Sequence, residues 1–165
     1  MGLAMAAKSL AWLAMEIVAF RPEFADAFRA LNEAWITRFF VLEPKDIEVL
    51  GDPRSAILDT GGQVFFALDG GAPVGCCALV ALPDGGFEVA KMAVAESHKG
   101  RGLGRALMSA CLAHARAAGA PRLYLETNAA LAPALGLYRS FGFRTITPET
   151  PSPYARADVI MELRL

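Results

Sequence analysis

Gly100, Gly102 and Gly104 occur at alternate positions between an apolar run that ends at Val94 and a helical-period run that begins at Leu103. Glycine lets the main chain approach a ligand where a Cβ would stand in the way, and the first turn of a helix carries N–H groups without partners. Those donors converge on an anion, helped by roughly half a positive charge from the helix dipole. Lys99, Arg101 and Arg105 add mobile positive charge at the rim. A diphosphate is the natural guest. The GxxxxGK[ST] phosphate loop is absent, because Gly104 is followed by Arg105 and Ala106. A dinucleotide fingerprint belongs after the first strand of a βαβ unit, with an acidic residue about twenty positions on. Here several strands precede the loop, and Glu126, at about that distance, falls on the next strand. On this segment alone, a solvated glycine turn and a nucleotide-binding module stay open as readings.

The rest of the chain predicts an α/β order. Glu16–Phe20 reads as a short strand. Pro22 takes the first-turn position of a helix whose Phe24, Ala27, Phe28, Leu31 and Trp35 recur at helical spacing. A second short helix is expected from Pro44–Asp46 to just before Gly51-Asp52-Pro53. Val64–Leu68 and Val74–Leu82 flank the hairpin signal Asp69-Gly70-Gly71, and Pro83–Gly86 turns into a strand over Phe87–Ala95. After the glycine loop, Leu103, Ala106, Leu107, Ala110 and Cys111 form one helical stripe that Gly119 and Pro121 end. A strand over Leu123–Thr127, a short helix over Pro133–Phe141 and a closing strand over Val159–Leu165 follow. The expected architecture is a mixed sheet with flanking helices.

Composition removes other classes. At 165 residues with 55% hydrophobic and 20% charged side chains, the chain is neither disordered nor a coiled coil. Sixteen basic residues against seventeen acidic ones give a net charge of −1, so no global basic field exists for a nucleic-acid backbone. No apolar run is long enough to span a bilayer, so no membrane partner is expected. Cys76 and Cys77 are adjacent and would point to opposite faces of a strand; with Cys111 they make no spaced zinc set, and no metal is expected. Buried thiols of this kind suit a reducing cytosol, and a cytoplasmic location is expected. Met1–Ala14 is Ala-rich and lightly basic, a pattern similar to a signal peptide. Because Met15 leads straight into EIVAFRPEF, residues 1–14 are read as a leader or non-native flexible terminus, and residues 15–165 as one domain.

These motifs together resemble the GNAT superfamily of acetyl-CoA-dependent N-acetyltransferases. Lys99-Gly100-Arg101-Gly102-Leu103-Gly104 matches the family's Arg/Gln-x-x-Gly-x-Gly/Ala signature, with Lys99 in place of Arg or Gln. Lys91-Met92-Ala93-Val94 looks like its fourth strand, and Asn128 with Leu137-Tyr138 and Gly142-Phe143 looks like its N…LY…GF block. Pro153-Tyr154-Ala155-Arg156 and Met161-Glu162-Leu163 look like a subgroup of small GNAT proteins. The resemblance implies a mostly antiparallel sheet of six to seven strands with a splayed pair of central parallel strands. It implies that pantetheine lies along Met92, Ala93 and Val94, that Lys99, Gly100, Arg101, Gly102, Leu103, Gly104 and Arg105 hold the pyrophosphate, and that Asn128 and Tyr138 meet the arm and the thioester sulfur. It also implies acetyl-CoA as cosubstrate, a small-molecule or peptide amine as acceptor, and a homodimer. A CoA-binding regulatory module without turnover is the alternative.

Acetyl transfer needs a neutral amine. An ordinary alkylamine of pKa ~10.4 costs about 4.6 kcal/mol to deprotonate at pH 7. Tyr138 is the candidate acid for the leaving thiolate. Glu88, which strand alternation would group with Ala90, Met92 and Val94, and Glu126 are rival bases. Lys91 stands in an apolar strand and must find a polar partner, with an ion pair expected and a role in the substrate cleft the alternative. His98 is placed to cap the loop or touch phosphate, His114 to pack in the core, and Trp35 and Phe39 to pack in the core or line an acceptor pocket.

Overall fold

The protein is described from a computed structural model over residues 15–165; the leader expected for Met1–Ala14 lies outside the described residues. Strand β1 (Met15–Ala19) leads through a short 3-10 turn into helix α1 (Ala25–Phe39), then α2 (Pro44–Gly51). A π-helical turn at Arg54–Leu58, which no sequence signal marked, precedes β2 (Gln63–Asp69), β3 (Ala72–Ala81) and β4 (Phe87–Val94). Helix α3 (Leu103–Ala117), β5 (Arg122–Thr127), α4 (Ala132–Ser140), β6 (Arg144–Ile146) and β7 (Val159–Arg164) complete the order. The strands form one sheet, β1-β2-β3-β4-β5-β7-β6, antiparallel except for β4 beside β5. The mixed, mostly antiparallel sheet with a central parallel pair is as expected. The sequence reading missed β6, three residues long and bonded only to β7.

Each face of the sheet carries its own core. On one face α3 (Leu107, Met108, Cys111) and α4 (Leu135, Tyr138) pack against Cys77, Leu79, Phe87, Val89, Leu123 and Leu125. On the other, Phe28 and Ile36 of α1 and Val49 and Leu50 of α2 pack against Val64, Phe66, Leu68, Cys76 and Ala78. Period-2 alternation sends neighbouring residues to different cores, and Cys76 and Cys77 obey it. All three cysteines are buried and free.

In β4 the alternation slips. Ala90 stands opposite Ala78 and Ala93 opposite Cys76, so β4 carries one residue more than β3 over this stretch, a β-bulge. Lys91 lies in it with φ +53°, the sole non-glycine residue at positive φ among those described. That conformation disfavours a side chain by about 1–2 kcal/mol. The bulge flips parity. Phe87 and Val89 join the α3/α4 core, and beyond it Met92 and Val94 do the same, while Ala93 turns to the α1/α2 core. Glu88, opposite Val80, therefore faces α1 and α2, not the face of Met92 and Val94 that strict alternation predicted.

Candidate active site

Strands β4 and β5 pair only at Phe87–Leu123 and Glu88–Tyr124. Beyond that point β4 stays zipped to β3 as far as Val94, and β5 to β7 as far as Thr127. The sheet is thus slit between β4 and β5, and the β5-facing edge of residues 89–94 has no strand partner. Main-chain groups of this kind need hydrogen bonds from elsewhere. A cavity of about 500 Å³ fills the slit, bounded by β4, the glycine loop, α3, α4, the end of α1 and the segment before β7.

From the α3/α4 face the slit meets the glycine loop. Gly102 caps the start of α3 with φ +79°, a conformation that favours glycine. A Cβ on Gly104 would stand 3.3 Å from Leu137 Cδ2 across the slit. Lys99, Gly100, Gly102, Leu103 and Gly104 line the cavity, as do Met92, Ala93 and Val94. Arg101 and Arg105 do not; the Arg105 guanidinium donates to Ser140 Oγ at 2.9 Å and lies over the Phe141 ring. Asn128 is at the wall, but its amide donates to the Arg156 carbonyl at 2.7 Å and its Oδ1 accepts from the Ala130 N–H at 2.8 Å. Its polar atoms already hold the β5–α4 loop to the segment before β7.

Tyr138, on α4, is 9% exposed and lines the cavity. Its hydroxyl makes no hydrogen bond to another described residue and is not among the fully buried, unpartnered polar atoms. Burial, and behind it the Cys77 thiol, raises its pKa, so the phenol stays protonated at neutral pH.

From the α1/α2 face the slit meets carboxylates. Glu88 and Glu126 both line it. Tyr124 donates to Glu126 Oε1 at 3.0 Å, and the Ser152 hydroxyl donates to Oε2. Burial first, and repulsion from Glu126 second, lift the Glu88 carboxyl to about 7. Lys91 points to this face as well, and its Nζ pairs with fully buried Asp46 of α2 at 2.5 Å. Arg156 binds the same carboxylate with both terminal nitrogens at 2.7 Å and reaches Glu43 at 3.2 Å. Burial opposes ionisation of Asp46, but the bonds from Arg156 and Lys91 win and hold its carboxyl at about 2. Lys91 and Arg156 each lie 4.6 Å from the centre of the Tyr154 ring, and Lys91 donates to the Tyr154 hydroxyl at 3.2 Å.

The ion pair expected for Lys91 is therefore present. Its partners Asp46 and Tyr154, and Arg156, which shares Asp46 with it, had no contact assigned from the sequence. The available signal was a lone lysine in an apolar strand, which demands an acid without saying where that acid lies. His98 contributes to the cavity wall while bonding Asp69 and Ser97, both at 2.7 Å. His114 packs edge-on against Phe65 and Phe87, as expected. Trp35 and Phe39 line the cavity, and Phe39 is 52% exposed, so it is no core residue.

Residues 18–143 match the Acetyltransferase (GNAT) family. The chain belongs to that family. This GNAT-family chain is 39% identical over 107 residues to the "IAA acetyltransferase" of Azospirillum brasilense, covering 64% of this chain and 65% of that one. It is 32% identical over 129 residues to the "Mycothiol acetyltransferase" of Saccharomonospora viridis, covering 77% of this chain and 36% of that one. The matches thus span less than two thirds of those relatives' own lengths. The fold is shared with a GNAT-family acetyltransferase of Staphylococcus aureus, at TM-score 0.83, 18% identity and coverage of 92% and 99%. It is shared too with yncA of Salmonella typhimurium, solved with its cofactor acetyl-CoA, at TM-score 0.72, 20% identity and coverage of 92% and 94%.

Proposed function

We propose that this enzyme moves the acetyl group of acetyl-CoA onto a primary amine by direct attack, with both substrates bound at once. The carrying observation is that Tyr138 and Glu88 reach one slit from opposite faces of the sheet. The residues fit the cosubstrate: a loop in which Gly102 holds φ +79° and a Cβ on Gly104 would crowd Leu137, and an unpaired strand edge for an extended arm. In this reading the glycine loop takes the diphosphate and Met92–Val94 the arm, while Asn128 braces the wall and does not hold the arm itself.

The amine enters from the α1/α2 face. Glu88, with Glu126 beside it, accepts a proton from the amine, whose nitrogen attacks the thioester carbonyl carbon. The bulge takes β4 main-chain groups out of the β3 ladder at this point. A main-chain N–H aimed at the developing oxyanion is worth about 2.7–4 kcal/mol. The C–S bond then breaks, the sulfur takes the Tyr138 proton, and the extra proton left on the new amide nitrogen passes to solvent, from which Tyr138 is reprotonated. A carboxyl near 7 and a phenol that stays protonated suit these roles at neutral pH. An acyl-cysteine route lacks a nucleophile, because Cys76, Cys77 and Cys111 are buried away from the cavity and burial lifts the Cys76 thiol to about 12. The test mixes enzyme, acetyl-CoA and a panel of primary amines, following free thiol and the protein mass. One thiol per acetylated amine, with no acetylated enzyme, is expected. A trapped acetyl-enzyme would overturn direct attack.

A further inference from the structure

The α1/α2 side of the slit has a composition that selects among amines. Its walls are aromatic: Trp35 and Phe40, in edge-to-face contact at 6.4 Å, with Phe39 and Tyr154 beside them. A groove continues outward past Phe39 and Phe40 to Val41, which is 73% exposed. Each cation in the cavity wall already has a carboxylate: Lys91 and Arg156 have Asp46, and Lys99 has Glu96 at 2.8 Å. Arg38 in the outer groove is bound to Glu96 as well, at 3.2 Å. The charges of Lys91 and Arg156 are cancelled by Asp46 and Glu43, which leaves Glu88 and Glu126 as the carboxylates without a cationic partner at the base of the pocket.

An acceptor that carries a carboxylate next to its amine would bring that charge, partly desolvated, against Glu88 and Glu126. No cation of the wall is free to receive it, and a buried unpaired charge is expensive. A cationic amine on an apolar or aromatic body meets the opposite situation, with carboxylates for the ammonium and ring faces for the body. Resting on the acetyl-transfer reading, we infer that the acceptor is a primary amine on an aromatic or apolar body without a neighbouring carboxylate, held between Glu88/Glu126 and the rings of Trp35, Phe39, Phe40 and Tyr154.

The experiment compares kcat/KM for matched acceptors at saturating acetyl-CoA: 2-phenylethylamine, phenylalanine and phenylalanine amide, with tryptamine and tryptophan as a second series. Expected is a preference of about 100-fold or more for each amine over its amino acid, with phenylalanine amide recovering most of the loss. The amide has the bulk of the acid without its charge. Phe39→Ala, at a half-exposed position, should raise KM for 2-phenylethylamine about fivefold and leave that for methylamine unchanged. Amino acids used as well as their amines, or an amide as poor as the acid, would overturn the charge argument while acetyl transfer stands. An unchanged KM in Phe39→Ala would overturn the aromatic wall. Thiol release with none of these amines would remove the transfer reading and this inference together.

Discussion

The two faces of the slit are built by different rules. On the α3/α4 face recognition, in the proposed reading, uses main chain: an unpaired strand edge, a helix start and glycines, with Tyr138 adding a hydroxyl. On the α1/α2 face it uses side chains, with aromatic rings and two carboxylates set in front of a fully paired ion network. The first arrangement suits a ligand that never varies. The second can be rewritten residue by residue without touching the sheet, which is how one fold can keep its acyl donor and change its acceptor. The β4 bulge joins the two, because it hands Lys91 to one face and Met92 to the other.

The strongest way to break this division is Asp46→Asn. It leaves Lys91 and Arg156 buried beside a neutral amide, and losing one partner of such a network costs about 3–5 kcal/mol. Urea denaturation should show that loss. A variant as stable as the parent would mean that the network does not hold the α1/α2 face. Gly102→Val, which forces a branched side chain to φ +79°, should attack the other face alone. Acetyl-CoA affinity measured by calorimetry should fall 100-fold or more with the circular dichroism spectrum kept. Retained affinity would count against the loop as the diphosphate site.

Tyr138→Phe sharpens the comparison, since it removes only the hydroxyl. Turnover should drop by about 100-fold, the low end for a general acid. Acetyl-CoA binding should stay the same, and undiminished turnover would strip Tyr138 of its role. The smallest effect concerns pH. The base must be ionised, so kcat/KM should rise with pH through about 7, where the Glu88 carboxyl titrates, and Glu88→Gln should flatten that limb. Because folding raises this pKa, Glu88 favours the folded state at low pH, and that contribution fades as pH climbs through 7. Glu88→Gln should therefore also lose less stability than the parent as pH rises from about 5 to 7. A parent profile flat across that interval would move the base elsewhere.

The local fold of the proposed cofactor side was legible in the sequence because its signals are local. The spacing of Gly100, Gly102 and Gly104, the helix stripe behind them and Tyr138 on the last helix all fall within short windows. The acceptor side was not, because its pairings are long-range: Asp46 to Lys91, Arg156 to Asp46, and Ser152 to Glu126. No periodicity links positions so far apart. The parity argument for Glu88 failed for a related reason, since a one-residue bulge at a lysine leaves no glycine to announce it. The short β6 escaped because three residues carry too little alternation to read as a strand.

Amide hydrogen exchange with and without acetyl-CoA reads the slit itself. The account predicts new protection concentrated at Met92–Val94 and at the start of α3 from Leu103 to Ala106, with the α1/α2 network around Asp46 unchanged. Protection that spared those β4 amides, or that appeared around Asp46 and Arg156 instead, would show that the donor does not enter along the open edge of β4.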